Sequence, residues 1–346
     1  MADRVVVAPK AFGASRTSSA IAKDREQARG YNPVAVMRSP YTHAASFGWT
    51  NLCTLPKLNH DMALCEKVVI APDWQELLHR HGLDSMDTLY ALHEGTVLKA
   101  GKATELCRVE FNDAGVARTL YIKKYWYPTS RLRWSGFYRG TFLGISKVRR
   151  EFENLARLRQ WGLDAPAAVA YGEERRERWL HRSFLISEGV PEPLSLDLFI
   201  RDYLPSSADN ERRRLRREII ERLADYTRRM HEHQFVHHDC FWRNILLSGG
   251  ALTHFFLIDS HKGRCWKRWM ETRSRAKDLA TLDAPAPRFF RRTERLRFFL
   301  RYRGHARLTN EDKELIDLVL RVAEPMRATQ LRRVANARPQ REPAQA

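Results

Sequence analysis

The sequence predicts an α+β fold in which a β-rich section precedes a mainly helical second half. From His93 onward, short runs of alternating apolar residues are separated by Gly, Asn and Asp, as in antiparallel strands joined by turns. Residues 211–235 instead place apolar side chains three and four positions apart, which is typical of an amphipathic helix. The chain has 346 residues, of which 43% are hydrophobic, so it can enclose a substantial core.

The β-rich section contains five predicted strands and one helix. The helix covers residues 147–162, where Val148, Phe152 and Leu155 share one face and Gly162 is a suitable end. The strands are expected at residues 96–99, 106–111, 117–126, 167–171 and 183–187. In the second half, shorter helices are expected at residues 196–203, 278–282 and 310–322.

The two ends of the chain differ in composition from its middle. The first thirty residues are small and polar, and the last twenty are basic and contain Pro, so we expect flexible tails at both ends. The extension after the first tail has one predicted helix near Trp74–His81 and no motif with an assignable chemical role. The expected division is a tail at 1–30, an N-terminal extension at 31–88, an N-terminal lobe at 89–190, a C-terminal lobe at 191–326 and a tail at 327–346.

The stretch from His237 to Asp259 spaces polar groups as phosphoryl transfer from ATP requires. Asp239 is followed five residues later by Asn244, and Asp259 comes directly after the next apolar run. In this chemistry the first Asp accepts the proton of the attacking hydroxyl, while the Asn and the second Asp hold Mg²⁺ ions on the ATP phosphates. Asp239 is therefore the candidate catalytic residue, and Asn244 and Asp259 are the candidate metal ligands.

A predicted hairpin brings the two candidate metal ligands together. A short apolar run follows Asn244, Ser248-Gly249-Gly250 forms the turn, and residues 253–258 form the return strand. In an antiparallel pair, the start of the first strand lies beside the end of the second. Asn244 and Asp259 are thus expected to be neighbours, with Asp239 just upstream on a loop.

Phosphoryl transfer also needs a cation on the nucleotide phosphates. Lys123 on the third strand is the candidate, and Glu151 on the following helix is the carboxylate that would fix its ammonium group. Neighbouring strand residues point to opposite faces, so only one of Lys123 and Lys124 can enter a cleft. Lys124 and Glu153 remain the alternatives to Lys123 and Glu151.

The turn that contains Gly101 and Lys102 is the candidate loop over the phosphates. It lacks the three-glycine pattern of nucleotide-covering loops. Lys102 would supply electrostatic attraction instead.

Asp278 opens a predicted helix in the second half of the chain. If buried, its carboxylate can accept hydrogen bonds from the backbone of the Asp239 loop. If exposed, it only favours the start of its helix through the helix dipole. Both interpretations stay open.

The net charge of +19 indicates a polyanionic partner. Cations and aromatic residues interleave at residues 125–139, 264–275 and 288–303, a pattern that suits an anionic membrane interface or single-stranded nucleic acid. No apolar run has the length of a membrane span, and the first residues lack a secretory h-region, so we expect a cytoplasmic protein. The five cysteines form no C-x-x-C pair, as expected of reduced thiols.

Together these motifs resemble the bacterial lipopolysaccharide kinases of the WaaP and Kdo-kinase group. His237-His238-Asp239-Cys240 is similar to the family's His-Arg-Asp-Cys loop, and Ile258-Asp259-Ser260-His261 is similar to its Ile-Asp-x-His metal segment. Supporting matches lie at residues 121–123, 150–155, 182–188 and 277–279. The resemblance covers residues 90–325.

The resemblance implies a bilobal protein-kinase-like fold, in which a small β-rich N-lobe and a larger helical C-lobe hold ATP and Mg²⁺. The implied reaction is phosphorylation of a sugar hydroxyl, on heptose or Kdo, in the inner core of lipopolysaccharide. Glu188 at the lobe junction would contact adenine through its backbone, and Lys262 and Arg264 would meet phosphates of the acceptor.

The same resemblance implies where the protein acts and on what. The acceptor would be the lipopolysaccharide core saccharide or lipid A-core, at the cytoplasmic face of the inner membrane. The protein would bind that anionic surface peripherally, and no specific nucleic acid is expected. Two features depart from the family pattern. His238 stands in place of the usual Arg, and residues 1–85 form a longer N-terminal section than expected.

Two alternatives to this function stay open. One is a kinase that acts on a protein or on another small acceptor. The other is a catalytically inactive protein that binds nucleic acid or an anionic membrane through its basic surface. The presence of all three side chains at 239, 244 and 259 argues against an inactive enzyme.

Overall fold

The computed structural model describes residues 64–113, 115–127, 145–176, 179–206, 209–248, 254–266 and 271–336. Within these ranges an antiparallel sheet is followed by a helical part, which confirms the predicted α+β class. The predicted tail at residues 1–30 and the first half of the predicted extension lie outside the described residues.

A six-stranded antiparallel sheet forms the N-terminal lobe, in the spatial order β1-β5-β6-β4-β3-β2. The strands are β1 (Leu64–Ile70), β2 (Thr96–Gly101), β3 (Thr104–Asp113), β4 (Val116–Trp126), β5 (Ala168–Arg176) and β6 (Trp179–Glu188). All five predicted strands are present, and each is longer than predicted because backbone pairing continues beyond the predicted ends. β4 lies inside the sheet, between β3 and β6, so its side chains have fixed positions.

Part of the predicted extension belongs to this lobe rather than to a separate section. β1 pairs with β5 along its whole length. After β1, the helices α1 (Gln75–Arg80) and α2 (Met86–Ala91) place Leu78, Met86 and Leu89 in one core with residues of the sheet. The sequence pattern predicts α1 but neither β1 nor α2, and a short edge strand of mixed polarity such as β1 carries no clear alternation.

Helix α3 (Lys147–Gln160) connects the sheet to the rest of the molecule. Its N-cap Ser146 accepts a hydrogen bond from the Arg149 amide, and its end is marked by Gly162 at φ +69°, as predicted. The apolar face packs on the sheet, where the Phe152 and Tyr171 rings lie 5.0 Å apart. A polar side of α3 faces the 3₁₀ turn at Ser260–Lys262.

The C-terminal lobe is mainly helical. Its helices are α4 (Leu196–Leu198), α5 (Leu204–Ser206), α6 (Asp209–Glu232), α7 (Glu271–Asp283), α8 (Arg292–Arg303) and α9 (Asn310–Asn336). Its short strands are β7 (Leu194–Ser195), β8 (Phe235–Val236), β9 (Ile245–Ser248), β10 (His254–Leu257) and β11 (Arg264–Cys265). The apolar face predicted for the long helix is present in α6, where Leu215, Ile219 and Met230 are buried in the main core.

The last helix extends further than predicted. The sequence pattern predicts a helix that ends at residue 322 and a flexible tail from 327, but α9 continues to Asn336 through Pro325. Ala323 is buried and Met326 packs against the same cluster, while Arg327 forms an ion pair with Asp283 of α7. These tertiary contacts offset the backbone hydrogen bond that Pro325 cannot donate.

Replacing Leu78 with Ala should test whether residues 64–91 are an integral part of the N-lobe. Leu78 is fully buried, so the cavity should lower the free energy of unfolding by about 2–5 kcal/mol. Leu98→Ala is the matched control, because Leu98 is 46% exposed and its loss should cost less than about 0.5 kcal/mol. Urea unfolding followed by tryptophan fluorescence measures both, and equal effects would show that α1 does not contribute to the lobe.

Candidate active site

The hairpin predicted between Asn244 and Asp259 is present. β9 and β10 are antiparallel, with Ile245 opposite Leu257, and the Ile258 amide donates to the Asn244 carbonyl at 3.0 Å. This pairing places Asn244 and the segment that contains Asp259 at the same end of the hairpin.

The loop before the hairpin holds Asp239 and Asn244 in contact. The Asn244 Nδ2 group donates to the Asp239 backbone carbonyl at 2.9 Å, and the Phe241 amide donates to the same carbonyl at 2.7 Å. Both Asp239 and Asn244 are buried. Because its nitrogen is bound to the loop, the Asn244 side chain keeps its oxygen Oδ1 available as a ligand for a cation.

Lys123 of β4 lies between two carboxylates from other parts of the chain. Its Nζ is 2.6 Å from Glu151 Oε1 on α3 and 3.4 Å from Asp259 Oδ1. Burial disfavours the charged ammonium, but the two negative charges outweigh that effect and raise the pKa of Lys123. Lys123 is therefore a fixed cation that joins the sheet, α3 and the segment after the hairpin.

The alternatives Lys124 and Glu153 lie elsewhere. Lys124 is on the other face of β4, where it is 2% exposed and its Nζ is 3.1 Å from Glu105. Glu153 forms ion pairs with Arg149 and Arg157 on its own helix. Neither contacts the Asp239 loop, among the hydrogen bonds and ion pairs of the described residues.

Asp259 is held as an anion in an uncommon backbone conformation. It has φ +61°, in the left-handed region that residues with a side chain seldom adopt. Burial acts against its charge, but a hydrogen bond from His261 at 3.1 Å and the nearby Lys123 ammonium hold its pKa well below the usual range. Ligand atoms of Glu151, Asp259 and His261 lie within 4.8 Å of one another. His261 belongs to the segment that resembles the Ile-Asp-x-His motif but is not among the predicted site residues.

Asn154, which the sequence analysis also missed, anchors the turn after Asp259 to α3. Its fully buried Nδ2 group donates to the carbonyls of Ser260 at 2.7 Å and Gly263 at 3.0 Å. A Cβ atom on Gly263 would lie 2.3 Å from the Phe235 ring and 3.0 Å from Asn154 Nδ2. Only a residue without a side chain lets the turn approach this closely.

Asp278 is buried beneath the Asp239 loop. Its two carboxylate oxygens accept hydrogen bonds from the backbone amides of His237 at 2.7 Å and His238 at 2.8 Å. Burial opposes its charge, but hydrogen bonds from the His231 ring and from these amides lower its pKa. Of the two interpretations of Asp278, the structure therefore has the one in which it supports the loop.

His238 holds the chain downstream of the turn. It has φ +63°, and its Nε2 accepts a hydrogen bond from Trp266 Nε1 at 2.8 Å. The neighbouring residues Arg264 and Cys265 pair with Val236 and Phe235. Since a neutral imidazole nitrogen is needed to accept this bond, burial helps by lowering the pKa of His238.

The three remaining candidate site residues are Gly101, Lys102 and Glu188. Gly101 ends β2 and Lys102 lies in the two-residue turn that leads to β3, and in the described part of the chain no hydrogen bond or ion pair joins either residue to the residues above. Glu188 ends β6, and its side chain pairs with Arg118 at 3.2 Å. The Glu188 amide donates to the Ala167 carbonyl at 3.0 Å, so this amide is already used.

Residues 128–139 of the first basic aromatic segment and residues 267–270 of the second lie outside the described ranges. Cys65, Cys107, Cys240 and Cys265 are free thiols. Among the described helices, none combines the length and the hydropathy required to cross a bilayer.

Replacing Asp278 with Asn should loosen the Asp239 loop. The amide would present an NH₂ group to one of two backbone donors and leave that donor unsatisfied, which costs about 1–3 kcal/mol of unfolding free energy at pH 7. Because the folded pKa is lowered, the stabilisation by Asp278 is present above the ordinary pKa of Asp, about 4, and is lost as pH falls below it.

Urea unfolding of both proteins at pH 7 and at pH 3.5 measures this effect. We expect the difference between wild type and Asp278→Asn to shrink at the lower pH. The matched control Asp202→Asn removes an exposed carboxylate and should leave the unfolding midpoint unchanged at pH 7. A difference that is independent of pH would contradict the role of the carboxylate charge.

Comparison with known proteins gives consistent results. The lipopolysaccharide core heptose(I) kinase WaaP of Escherichia coli is 32% identical over 138 residues, which are 38% of this chain and 51% of that protein. The heptose(I) kinase WaaP of Pseudomonas aeruginosa is 28% identical over 170 residues, 46% of this chain and 60% of that protein. The matched regions thus span 51–60% of the length of these curated relatives.

A solved structure has a similar fold. It is that of WaaP in complex with acyl carrier protein, with a TM-score of 0.54 and 25% identity, covering 75% of this chain and 98% of that one. Residues 93–299, more than half of the chain, match the lipopolysaccharide kinase (Kdo/WaaP) family. The matched residues include Lys123, Glu151, Asp239 and Asp259, and the chain belongs to this family.

Proposed function

We propose that this protein is an ATP-dependent kinase that phosphorylates a sugar hydroxyl, on heptose or Kdo, of the lipopolysaccharide inner core. The observation that carries the proposal is the connected set formed by Lys123, Glu151, Asp259, Asn244 and Asp239. Its residue types and their order along the chain are those of phosphoryl transfer. The similar curated proteins are heptose(I) kinases, which favours heptose over other acceptors.

Asp239 is the proposed catalytic base. Its backbone is fixed by Asn244 and its loop by Asp278, so its carboxylate has a defined position. It orients the acceptor hydroxyl and takes its proton as the oxygen attacks the γ-phosphorus of ATP.

The residues present fit a hard divalent cation. Asn244 Oδ1 and the ionised Asp259 carboxylate are oxygen ligands of the kind that Mg²⁺ prefers. We propose that these two residues hold Mg²⁺, with His261 keeping Asp259 ionised. When bound, the cation neutralises charge on the ATP phosphates.

Lys123 and the β6 end are the proposed ATP contacts. Lys123 would bind the phosphates while Glu151 fixes its direction. Adenine would contact the backbone near Glu188. Because the Glu188 amide already donates to the Ala167 carbonyl, the contact would be made by a backbone carbonyl there or by a following residue. Gly101 and Lys102, at the end of β2 and in the turn after it, would lie over the phosphates.

The charge of the chain suits an anionic acceptor and an anionic membrane surface. A net charge of +19 attracts both the phosphorylated core saccharide and acidic lipid head groups. We propose peripheral association with the cytoplasmic face of the inner membrane on this basis. The solved relative contains acyl carrier protein, which makes such a carrier a further candidate partner.

Mass spectrometry of lipopolysaccharide core from cells that lack this protein tests the acceptor. The core should lose 80 mass units for each missing phosphate, a figure set by the mass of the HPO₃ group. Restoring the wild-type gene should restore the phosphate. An unchanged core, combined with ATP-dependent labelling of a protein or small metabolite by the purified chain, would favour the alternative acceptors.

Asp239→Asn should abolish phosphate transfer and leave the fold intact. The amide cannot accept the hydroxyl proton, so the rate of transfer should fall by at least about 100-fold, with little change in Mg-ATP affinity. Transfer of ³²P from ATP to core glycolipid measures the rate. Asp202→Asn, at an exposed position, is the matched control. Near-normal turnover of Asp239→Asn would remove Asp239 from this role.

A further inference from the structure

Lys262 contacts the carboxylate of the proposed catalytic base. Its Nζ donates to Asp239 Oδ2 at 3.0 Å. The side chain of Lys262 is 51% exposed, while that of Asp239 is 10% exposed. One partner is thus fixed in the site, and the other reaches it from the surface.

The Asp239 loop itself does not provide a suitable cation. Between Asp239 and Asn244 the sequence is Cys-Phe-Trp-Arg, and the exposed Arg243 guanidinium lies over the Phe241 ring at 4.3 Å. Lys123 is held by Glu151 and Asp259. Lys262 is the cation that the described structure brings to the carboxylate of Asp239.

The backbone of Lys262 is fixed although its side chain is exposed. It ends the 3₁₀ turn at Ser260–Lys262. Asn154 of α3 donates hydrogen bonds to the Ser260 carbonyl before Lys262 and to the Gly263 carbonyl after it. The buried Gly263 follows directly. A flexible stem on an anchored Cα lets the ammonium move over a few ångströms without moving the turn.

We propose that Lys262 is a catalytic residue that binds the transferring phosphoryl group. This inference rests on the proposed kinase function. Before the reaction Lys262 neutralises Asp239. In the reaction the Lys262 ammonium moves to the oxygens of the γ-phosphoryl group, and Asp239 takes the proton of the acceptor hydroxyl.

The step balances in atoms and charge. The bond between the γ-phosphorus and the β–γ bridging oxygen breaks, and ADP leaves with the electron pair. A bond forms between the acceptor oxygen and the γ-phosphorus, and the hydroxyl proton goes to Asp239. Negative charge on the equatorial oxygens of the loose transition state is stabilised by the lysine ammonium, which the flexible side chain brings from Asp239 to the phosphoryl group.

This role differs from that of a lysine that binds phosphates of the acceptor. A transition-state contact strengthens as the phosphoryl group is transferred, and it does not require the acceptor phosphate. A mimic of the transferring group, bound with ADP and without any sugar acceptor, therefore separates the two roles.

The experiment measures the affinity of the full-length protein for Mg-ADP, with and without aluminium fluoride, by calorimetry. In wild type, aluminium fluoride should tighten binding, because it mimics the transferring phosphoryl group. The increment is the factor by which aluminium fluoride raises the affinity for Mg-ADP. In Lys262→Ala we expect this factor to be about 100-fold smaller than in wild type, while the affinity for Mg-ADP alone changes less than about twofold. Lys262→Arg should retain most of the increment, since it keeps the charge.

Lys313→Ala is the matched control, because Lys313 is an exposed lysine at the start of α9 that donates to Asn310. It should behave like wild type. Unchanged thermal midpoints exclude misfolding of the variants as the cause. An unchanged increment in Lys262→Ala overturns the proposal, and so does an equal loss of affinity for Mg-ADP and for its aluminium fluoride complex.

The outcomes also separate this inference from the proposed function. If wild type does not bind Mg-ADP, the proposed kinase function is wrong, and so is the proposed role of Lys262. If Lys262→Ala loses the increment while lipopolysaccharide core is not phosphorylated, the proposed acceptor is wrong and the role of Lys262 stands.

Discussion

The candidate site depends on one partly buried charge, the ammonium of Lys123. It links β4, α3 and the segment after the β9–β10 hairpin through Glu151 and Asp259. Charges removed from water are stable only when they are paired, so each member of this triad holds the other two in place. The interior position of β4 makes the lysine a fixed point, and the other site elements are arranged relative to it.

Helix α3 carries two functions on one face. Glu151 and Asn154 are three residues apart, so their side chains lie on the same side of the helix. Glu151 binds Lys123, and Asn154 binds the backbone of the turn that contains Lys262. A displacement of α3 would therefore shift the proposed phosphate contact and the turn after Asp259 at the same time.

Much of this arrangement is predictable from local patterns, and the exceptions have physical causes. The hairpin that joins Asn244 and Asp259 follows from turn residues and alternation, as does the α+β class. Strand alternation separates Lys123 from Lys124 but does not say which face is the cleft, because that depends on packing by distant residues. β1 needs β5 as its partner, and the roles of Asn154 and Asp278 depend on backbone groups 40 to 109 positions away.

The crowding around Gly263 has an evolutionary consequence. Its φ of −60° suits any amino acid, so the requirement for glycine comes from the Phe235 ring and the Asn154 amide rather than from backbone conformation. Substitution of Gly263 by any residue with a side chain is disfavoured as long as residue 235 is phenylalanine. A larger residue at position 263 would require a second substitution. Phe235 would have to be replaced by a smaller residue before, or together with, the change at Gly263.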